Sequence, residues 1–302
     1  MNTARREGFI VIAVLWILGA LATLVSIYAI YVIDSAASFA AYDDRLRAEA
    51  LVSGAIELTA YRLKAVDPRP SHGSFDFRLG QANMAVEFRP ETARVDLNTA
   101  PKELFVSLSS RPWGGAAATR NITLTGSSPG EHARARAMTP SVSLTKTAGL
   151  SYAPRGAPFP HVNELSLVLG LPIALVERML PYFTVYSSSP KVNVFAAAPD
   201  LVAALPGMAR DRAQAFLLRR EAAATPRDAQ ALMSLLGPAQ RYATSDAGDA
   251  WRATVRVAFD NGRRTGAEVV ILLLEEDGEP FSILSWRDAS DETTVVTMAG
   301  GR

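Results

Sequence analysis

The chain has 302 residues, of which 49% are hydrophobic and 20% charged, and its formal net charge is +1. This near-neutral balance argues against a nucleic-acid-binding protein, because such proteins concentrate lysine and arginine to displace counterions from phosphates. Cysteine is absent, which excludes disulfides and thiolate metal sites but does not oppose export, since an oxidising compartment permits disulfides without requiring them.

An uncharged segment of about 25 residues, Phe9–Ile33, follows a leader at residues 1–8 that contains Arg5 and Arg6. At 1.5 Å rise per residue, a helix of this length covers roughly 37 Å, enough to cross a hydrocarbon core of about 30 Å. The basic pair precedes the segment and Asp34 follows it. The positive-inside rule therefore predicts a single-pass inner-membrane helix with its N-terminus in the cytoplasm and the bulk of the chain in the periplasm.

Two alternatives for this segment stay open. A cleaved secretory signal peptide has an apolar region of only about 7–15 residues followed by a small-residue cleavage site, whereas this run continues through Tyr28, Tyr31 and Ile33. A buried core helix is rarely so long and free of charge. A membrane anchor fits the segment better than either alternative.

The helix is predicted to continue beyond the membrane with an amphipathic second half. Apolar residues recur there at three- and four-residue steps and so share one helical face: Phe39, Tyr42, Leu46, Ala50, Gly54, Leu58 and Tyr61. The dipeptide Asp67-Pro68 is expected to end the helix near Val66. We expect this apolar face to pack on a β-sheet; a juxtamembrane coiled coil is the alternative, although the face lacks a leucine heptad.

Alternating apolar residues predict two blocks of antiparallel strands. The first block lies within residues 75–97 and the second within residues 252–287. Asp260-Asn261-Gly262 in the second block is typical of a hairpin turn. We expect both blocks to share one sheet, with everything between them inserted.

The residues between the strand blocks, 98–240, are rich in Ala, Leu and Pro and carry helical patterns. Two segments, Val95–Phe105 and Val192–Val202, resemble each other. Each combines a short extended piece, a capping turn and a proline near the first helical turn. They suggest two copies of one helix-start device, with chance similarity as the alternative.

Two helical hairpins are predicted in this insert, with turns at Gly170 and Gly207, where glycine takes the left-handed conformation that other residues resist. Helix-hairpin-helix units often hold DNA phosphates on backbone amides, and those sites favour a second glycine two residues after the first. Here these positions are Pro172 and Ala209. The hairpins make a membrane-anchored periplasmic DNA-binding protein the alternative function. Because both second glycines are missing, we expect no nucleic-acid partner.

No catalytic constellation stands out in the sequence. The three histidines, His72, His132 and His161, lie in polar or proline-rich surroundings, and Ser187-Ser188-Ser189 lacks the glycines of a nucleophile elbow. We therefore predict that the chain is not an enzyme and that it has no catalytic metal or cofactor.

The Gly8-Phe9 junction lies between the basic leader and the apolar helix, and it resembles the cleavage signal of type IV pilins and type II secretion pseudopilins. The resemblance implies that prepilin peptidase cuts after Gly8 and that the new N-terminal Phe9 is methylated. Most pilins carry a Glu at the fifth mature position, which is Ala13 here. In the family, that Glu pairs with the N-terminal amine of the preceding subunit. Its absence points to minor pseudopilin K of type II secretion, which is placed first, at the filament tip.

Further segments are similar, in order and spacing, to the GspK family: Val95–Pro101, Tyr152–Phe159, Val162–Leu165, Pro181–Val185, Val192–Val194 and Leu205–Gly207. The resemblance implies an α+β fold in which a long N-terminal helix packs on an antiparallel sheet. Residues 34–97 and 241–302 would form a pilin-like αβ domain, interrupted by an α-domain at residues 98–240. It also implies assembly with minor pseudopilins I and J at the tip of a pseudopilus that exports folded proteins across the outer membrane.

Residues 109–150 depart from that family. Relatives usually have an acidic segment there, whereas this chain has Arg111-Pro112-Trp113 and then a run rich in Ser, Thr, Ala and Gly, a composition that favours an exposed loop. This difference puts calcium binding, which occurs in some relatives, in doubt, because calcium needs about six to eight oxygen ligands. The candidate ligands are Asp246, Asp249 and residues 275–277, and a solvated turn is the alternative for each.

Overall fold

The computed structural model describes residues 4–66, 69–110, 157–168, 171–221, 226–275 and 278–289, and it consists of two compact units, residues 1–54 and 55–302. The helices are α1 (Ala4–Ala65), α2 (Lys102–Ser110), α3 (Ile173–Met179), α4 (Pro199–Ala203), α5 (Arg210–Arg220) and α6 (Pro226–Leu235). The strands are β1 (Gly73–Leu79), β2 (Ala82–Pro90), β3 (Val95–Asp96), β4 (Phe183–Thr184), β5 (Val192–Asn193), β6 (Ala243–Thr244), β7 (Ala250–Phe259), β8 (Arg264–Leu273) and β9 (Phe281–Ala289).

A five-stranded antiparallel sheet is assembled from both strand blocks, in the order β1-β2-β7-β8-β9. The register places Phe75 opposite Val86, and Val86 opposite Val255, so apolar side chains form rows on one face. Gly262 has a φ of +85° in the turn between β7 and β8, a conformation that favours glycine. The predicted sharing of one sheet by both blocks is confirmed.

The C-terminal turns of α1, which belong to the second unit, are fixed to this sheet. The guanidinium of Arg62 lies 4.0 Å from the centroid of the Phe75 ring, and Lys64 Nζ donates to the Leu274 carbonyl at 2.9 Å. Ile56 and Leu63, on the neighbouring face of the helix, are each only 1% exposed. The helix ends at Ala65, one residue before the predicted end.

The prediction of which face of α1 packs on the sheet is wrong. Phe39, Tyr42 and Tyr61 are 75%, 64% and 70% exposed. The buried positions near the end of the helix include the small residues Ala55 and Ala60, which let a helix approach a sheet closely. The large aromatic residues dominated the sequence pattern, and helical periodicity alone does not tell which of two apolar faces is covered.

Val95-Asp96 was expected in the large sheet, and this expectation is also wrong. Pro90 ends β2, and a 3₁₀ turn over Glu91–Ala93 redirects the chain. The strand β3 then pairs in parallel with β4, with Val95 opposite Phe183. The strand β3 thus belongs to the part of the chain between β2 and β7, which we call the helical region, and not to the sheet that carries α1.

The helical region contains an internal repeat. β3 pairs in parallel with β4, and β5 pairs in parallel with β6. Corresponding backbone hydrogen bonds follow in each copy: Leu97 N to Thr184 O (2.9 Å) and Ala100 N to Asp96 O (3.0 Å) in the first, and Val194 N to Thr244 O (3.2 Å) and Ala197 N to Asn193 O (2.9 Å) in the second. The similarity of the two helix starts therefore extends to their hydrogen bonding, which argues against chance.

A fully buried polar side chain supports each copy of this repeat. Asp96 Oδ1 accepts hydrogen bonds from the N–H groups of Asn98 (2.8 Å) and Thr99 (3.2 Å), and its Oδ2 accepts from the N–H of Ser188 (2.9 Å). Asn193 Oδ1 accepts from the N–H two residues further on (3.1 Å). These bonds satisfy backbone donors at the turn that starts each helix.

A buried ion pair links the helical region to the large sheet. Glu91 is 0% exposed, and its Oε1 accepts from Arg252 Nε on β7 at 2.6 Å. The same carboxylate accepts from Thr184 Oγ1 on β4, while Arg252 also pairs with Glu268 on β8. One carboxylate thus contacts both the sheet and the first copy of the repeat.

The electrostatic balance keeps this pair ionised. Burial raises the pKa of Glu91, but the charge and hydrogen bond of Arg252, together with the charge of Arg94 and the hydrogen bond from Thr184, outweigh burial, so the pKa of Glu91 lies below its ordinary value. Burial lowers the pKa of Arg252, but Glu91 and Glu268 outweigh it and raise that pKa. Both groups therefore remain charged at neutral pH.

Arg252→Gln is expected to lower the free energy of unfolding by about 3–5 kcal/mol, because it leaves the Glu91 carboxylate buried without its cationic partner. Urea unfolding of the full chain in detergent, followed by tryptophan fluorescence, measures this, since Trp251 is fully buried. The control is Arg256→Gln, which breaks an ion pair with Glu87 whose side chains are 62% and 47% exposed. The control should cost about 0–1 kcal/mol, and equal losses in both variants would contradict the assigned role of Arg252.

The Glu91 carboxylate should also make stability depend on pH. The folded-state pKa of Glu91 lies below its ordinary value, which is about 4.3 for a glutamate. The ionised carboxylate therefore stabilises the fold fully at pH values above about 4.3, and this stabilisation is lost as the pH falls through the folded-state pKa. We expect Glu91→Gln to be less stable than wild type at about pH 7 and the difference to shrink on the acid side. Unfolding midpoints measured across this range test the assignment, and a difference that stays constant down to about pH 3 would refute it.

Candidate functional site

The first half of α1 is an exposed apolar surface. Val11–Ala36 spans 26 residues, and its most apolar 18-residue stretch has a mean hydropathy of 2.4 and contains no buried residue. Trp16, Leu24 and Tyr31 are 78%, 63% and 68% exposed. Helices of this length and composition can cross a bilayer, so this segment is a candidate membrane span.

Two hydroxyl side chains in the middle of this segment are hydrogen-bonded within the helix itself. Thr23 Oγ1 donates to the Gly19 carbonyl at 2.8 Å, and Ser26 Oγ donates to the Ala22 carbonyl at 2.9 Å. Hydrocarbon offers no hydrogen-bond partner, so hydroxyl groups must find one within the protein. The hydroxyl groups of Thr23 and Ser26 are therefore compatible with a lipid environment.

The predicted processing residues lie on the backbone of α1. Gly8, Phe9 and Ala13 all belong to this helix, and the side chain of Phe9 lies outside the described part of the chain. Phe9 and Ala13 are four positions apart along the chain, a spacing that brings two positions of an α-helix to the same face. Cleavage and methylation at this junction stay predictions.

The second predicted hairpin turns at Gly207, between α4 and α5, with a φ of +77°. A Cβ at this position would lie 3.1 Å from Pro238 Cβ, so glycine serves both conformation and packing there. For the first hairpin, Gly170 lies outside the described residues, and the expected α-helix before it is a 3₁₀ helix, Val162–Leu167. Only about ten residues separate Pro160 from Pro172, which leaves little room for α-helix nucleation.

The basic residues of the second hairpin support the fold. Arg220 Nη1 donates to the carbonyls of Ala197 (2.7 Å) and Val194 (3.2 Å), and burial lowers the pKa of Arg220. The guanidinium of Arg212 covers Gly237 so closely that a Cβ there would collide with it. Two of the cations that a phosphate-binding hairpin would need are thus engaged in internal contacts.

The candidate calcium ligands do not form a cluster within the described part of the chain, where no group of three His, Cys, Asp or Glu side chains has a metal-binding arrangement. Asp249 Oδ1 pairs with Arg69 Nη1 at 2.6 Å. Asp246 Oδ1 accepts the N–H of Gly248 at 2.9 Å. Glu276 and Asp277 lie outside the described residues.

The histidines and serines considered for catalysis have structural neighbours. His161 Nδ1 accepts the N–H of Asn163 at 3.1 Å and caps the 3₁₀ helix, and His72 Nδ1 lies 3.2 Å from Ser71 Oγ. Ser187 Oγ donates to Asp96 at 3.2 Å. His132 lies outside the described residues.

One charged site was not predicted from the sequence. Arg94 follows the Glu91 turn and is half-buried. Burial and the neighbouring charge of Arg252 lower the pKa of Arg94 to about 10, and Glu91 and Glu268 only partly offset this. Arg89, on β2, adds a further positive charge beside it. The sequence signal was an excess of arginine around the end of β2, but only the fold brings Arg252 to the same place.

Comparisons with protein-family models and with curated proteins give no match. Among solved structures, the chain is similar to a chain in the crystal structure of the GspK-GspI-GspJ complex from the enterotoxigenic Escherichia coli type 2 secretion system. The TM-score is 0.56 at 16% sequence identity, and the similarity covers 83% of this chain and 98% of that chain. The structure and this likeness confirm the predicted α+β fold, a long N-terminal helix with an antiparallel sheet whose sequence is interrupted by a helical region. The fold is thus similar to that of a chain in a complex of the family that the sequence resemblance indicated.

Proposed function

We propose that this chain is a minor pseudopilin of a type II secretion system, with the role of GspK. The observation that carries the proposal is the structural similarity over 83% of the chain to a chain of the GspK-GspI-GspJ complex. The exposed apolar segment Val11–Ala36 supports it, because a pseudopilin needs a helix that is stable in lipid before assembly. In this proposal the N-terminus is cytoplasmic and the rest of the chain is periplasmic, as the positive-inside rule favours.

The proposed place of the chain is the filament tip, where it initiates or caps assembly. Phe9–Ile33 contains no carboxylate, and Ala13 occupies the fifth position of the mature chain. A carboxylate in the apolar filament core is costly unless it is paired. A subunit with no predecessor has no amine to pair with, so the absence of the charge supports the first position. The partners in this proposal are minor pseudopilins I and J, as in the complex of similar fold.

The helical region provides the second support for a tip position. We propose that residues 98–240 form an α-domain inserted into a pilin-like domain at residues 34–97 and 241–302. Its described residues share an apolar core, which includes Leu104, Phe183 and Phe216, and the repeat strands β3 and β6 at its two borders close that core, which supports a folded body. Such a body would obstruct a subunit stacked above it. The proposed role is thus structural, in the export of folded proteins across the outer membrane.

Processing at Gly8 tests the class of the protein. In membranes that contain prepilin peptidase, we expect the mature chain to begin at Phe9 and to carry an N-terminal methyl group; without the peptidase it should begin at Met1. N-terminal sequencing and intact mass measure this. Gly8→Leu should prevent the cut, because the peptidase must approach the backbone closely. The control Gly19→Ala changes a helix position with open space around it and should be processed normally. An intact Met1 in the presence of the peptidase, or a cut beyond Ile33, would contradict the proposal.

A further inference from the structure

The face of the large sheet that points away from the apolar rows carries charged residues in register. Glu87 lies opposite Thr254, which lies opposite Glu268, which in turn lies opposite Arg287. The neighbouring row contains Arg89 opposite Arg252. Because side chains alternate along a strand, these residues share the face opposite to Val86 and Phe88.

Three carboxylates on or beside this face have a cationic partner, whereas Asp76 of β1, opposite Ala85 on the same face, forms no ion pair with the described residues. Glu87 pairs with Arg256 at 2.6 Å. Glu268 pairs with Arg252 and lies 3.9 Å from Arg287. The buried Glu91 beside this face pairs with Arg252. These three glutamates are thus engaged in internal contacts.

The guanidinium groups of Arg89 and Arg94 differ from the paired arginines of this face. Within the described part of the chain, the side chains of Arg89 and Arg94 form neither an ion pair nor a hydrogen bond. Arg94 is half-buried, and a cation that has lost part of its water without a carboxylate bonded directly to it is unfavourable in the isolated chain. Among the described residues, the charges that act most on Arg94 are the cations Arg252 and Arg89 and the carboxylates Glu91 and Glu268, so that with Arg94 itself three positive charges meet two negative ones.

We infer that Arg89 and Arg94 form a docking site for an acidic side chain of a partner protein. A carboxylate matches the planar fork of a guanidinium and binds it through two parallel hydrogen bonds. It would also balance the local charge without disturbing the Glu91 pair. The identity of the partner rests on the proposed function, which makes it another minor pseudopilin of the same filament.

The binding test uses the full chain, co-expressed in membranes with minor pseudopilins I and J and purified in detergent. We expect the double variant Arg89→Gln and Arg94→Gln to bind its partner about tenfold or more weakly. Binding by the wild type should weaken between about 0.05 M and 0.3 M salt, and binding by the variant should depend less on salt. The control is Arg78→Gln, which removes the same charge at an exposed ion pair with Asp260 and should leave binding unchanged.

Unfolding measurements separate docking from a structural role. Arg94→Gln breaks no ion pair in the described part of the chain, so its unfolding temperature should equal that of the wild type or exceed it. Weaker binding together with a loss of stability as large as that of Arg252→Gln would overturn the docking site.

Two further outcomes separate the two proposals. If the wild type captures a partner and the double variant captures it equally well, the docking site is refuted and the proposed function stands. If the wild type captures neither pseudopilin, the proposed function fails and the assignment of the partner fails with it. A third result would also refute the site as proposed: Arg94 is required for binding to phosphatidylglycerol vesicles but has no effect on partner capture. The ligand of the site would then be a lipid phosphate and not a carboxylate of a partner protein.

Discussion

The ion pair between Glu91 and Arg252 fixes how the two parts of the folded body are joined. Its carboxylate is fully buried and contacts Arg252 of the large sheet and Thr184 of the helical region. Burying a charge is costly unless its partner is held in good geometry, so the pair requires β2, β4 and β7 to be in place together. Since β2 and β7 flank the helical region in the sequence, the native sheet and the native repeat depend on the same contact. The cations beside it, Arg89 and Arg94, form no ion pair with the described residues, because Arg252 occupies the nearby carboxylates of Glu91 and Glu268.

Much of the fold could be predicted because its signals are local. Strand alternation in β2 and β7 and the long apolar run of α1 each lie within one stretch of sequence. The pairing of Val95 with Phe183 could not be predicted, since it joins distant residues and local periodicity does not encode the partner of a strand. The covered face of α1 was missed because the large side chains of Phe39 and Tyr42 suggested the wrong face.

The candidate sites differ in the same respect, because some lie within one stretch of sequence and others are assembled only by the fold. Gly8 and Ala13 are visible in the sequence because a leader and an apolar run surround them, and the structure adds only that they lie on one helix. The cluster around Arg94 was missed because its members come from β2, the turn after it, β7 and β8. Arg252 offered a signal, since it stands between Trp251 and Ala253 in an apolar strand, where a charged residue needs a partner.

The central proposal is that this chain occupies one end of a filament and is excluded from its shaft. Its exposed apolar helix and its folded helical region both fit a subunit whose surfaces are covered by lipid and by neighbouring subunits. Labelling the chain at its C-terminus and locating the label by electron microscopy on isolated filaments measures this position directly. We expect the label at one end only. A label repeated along the shaft would contradict the tip assignment.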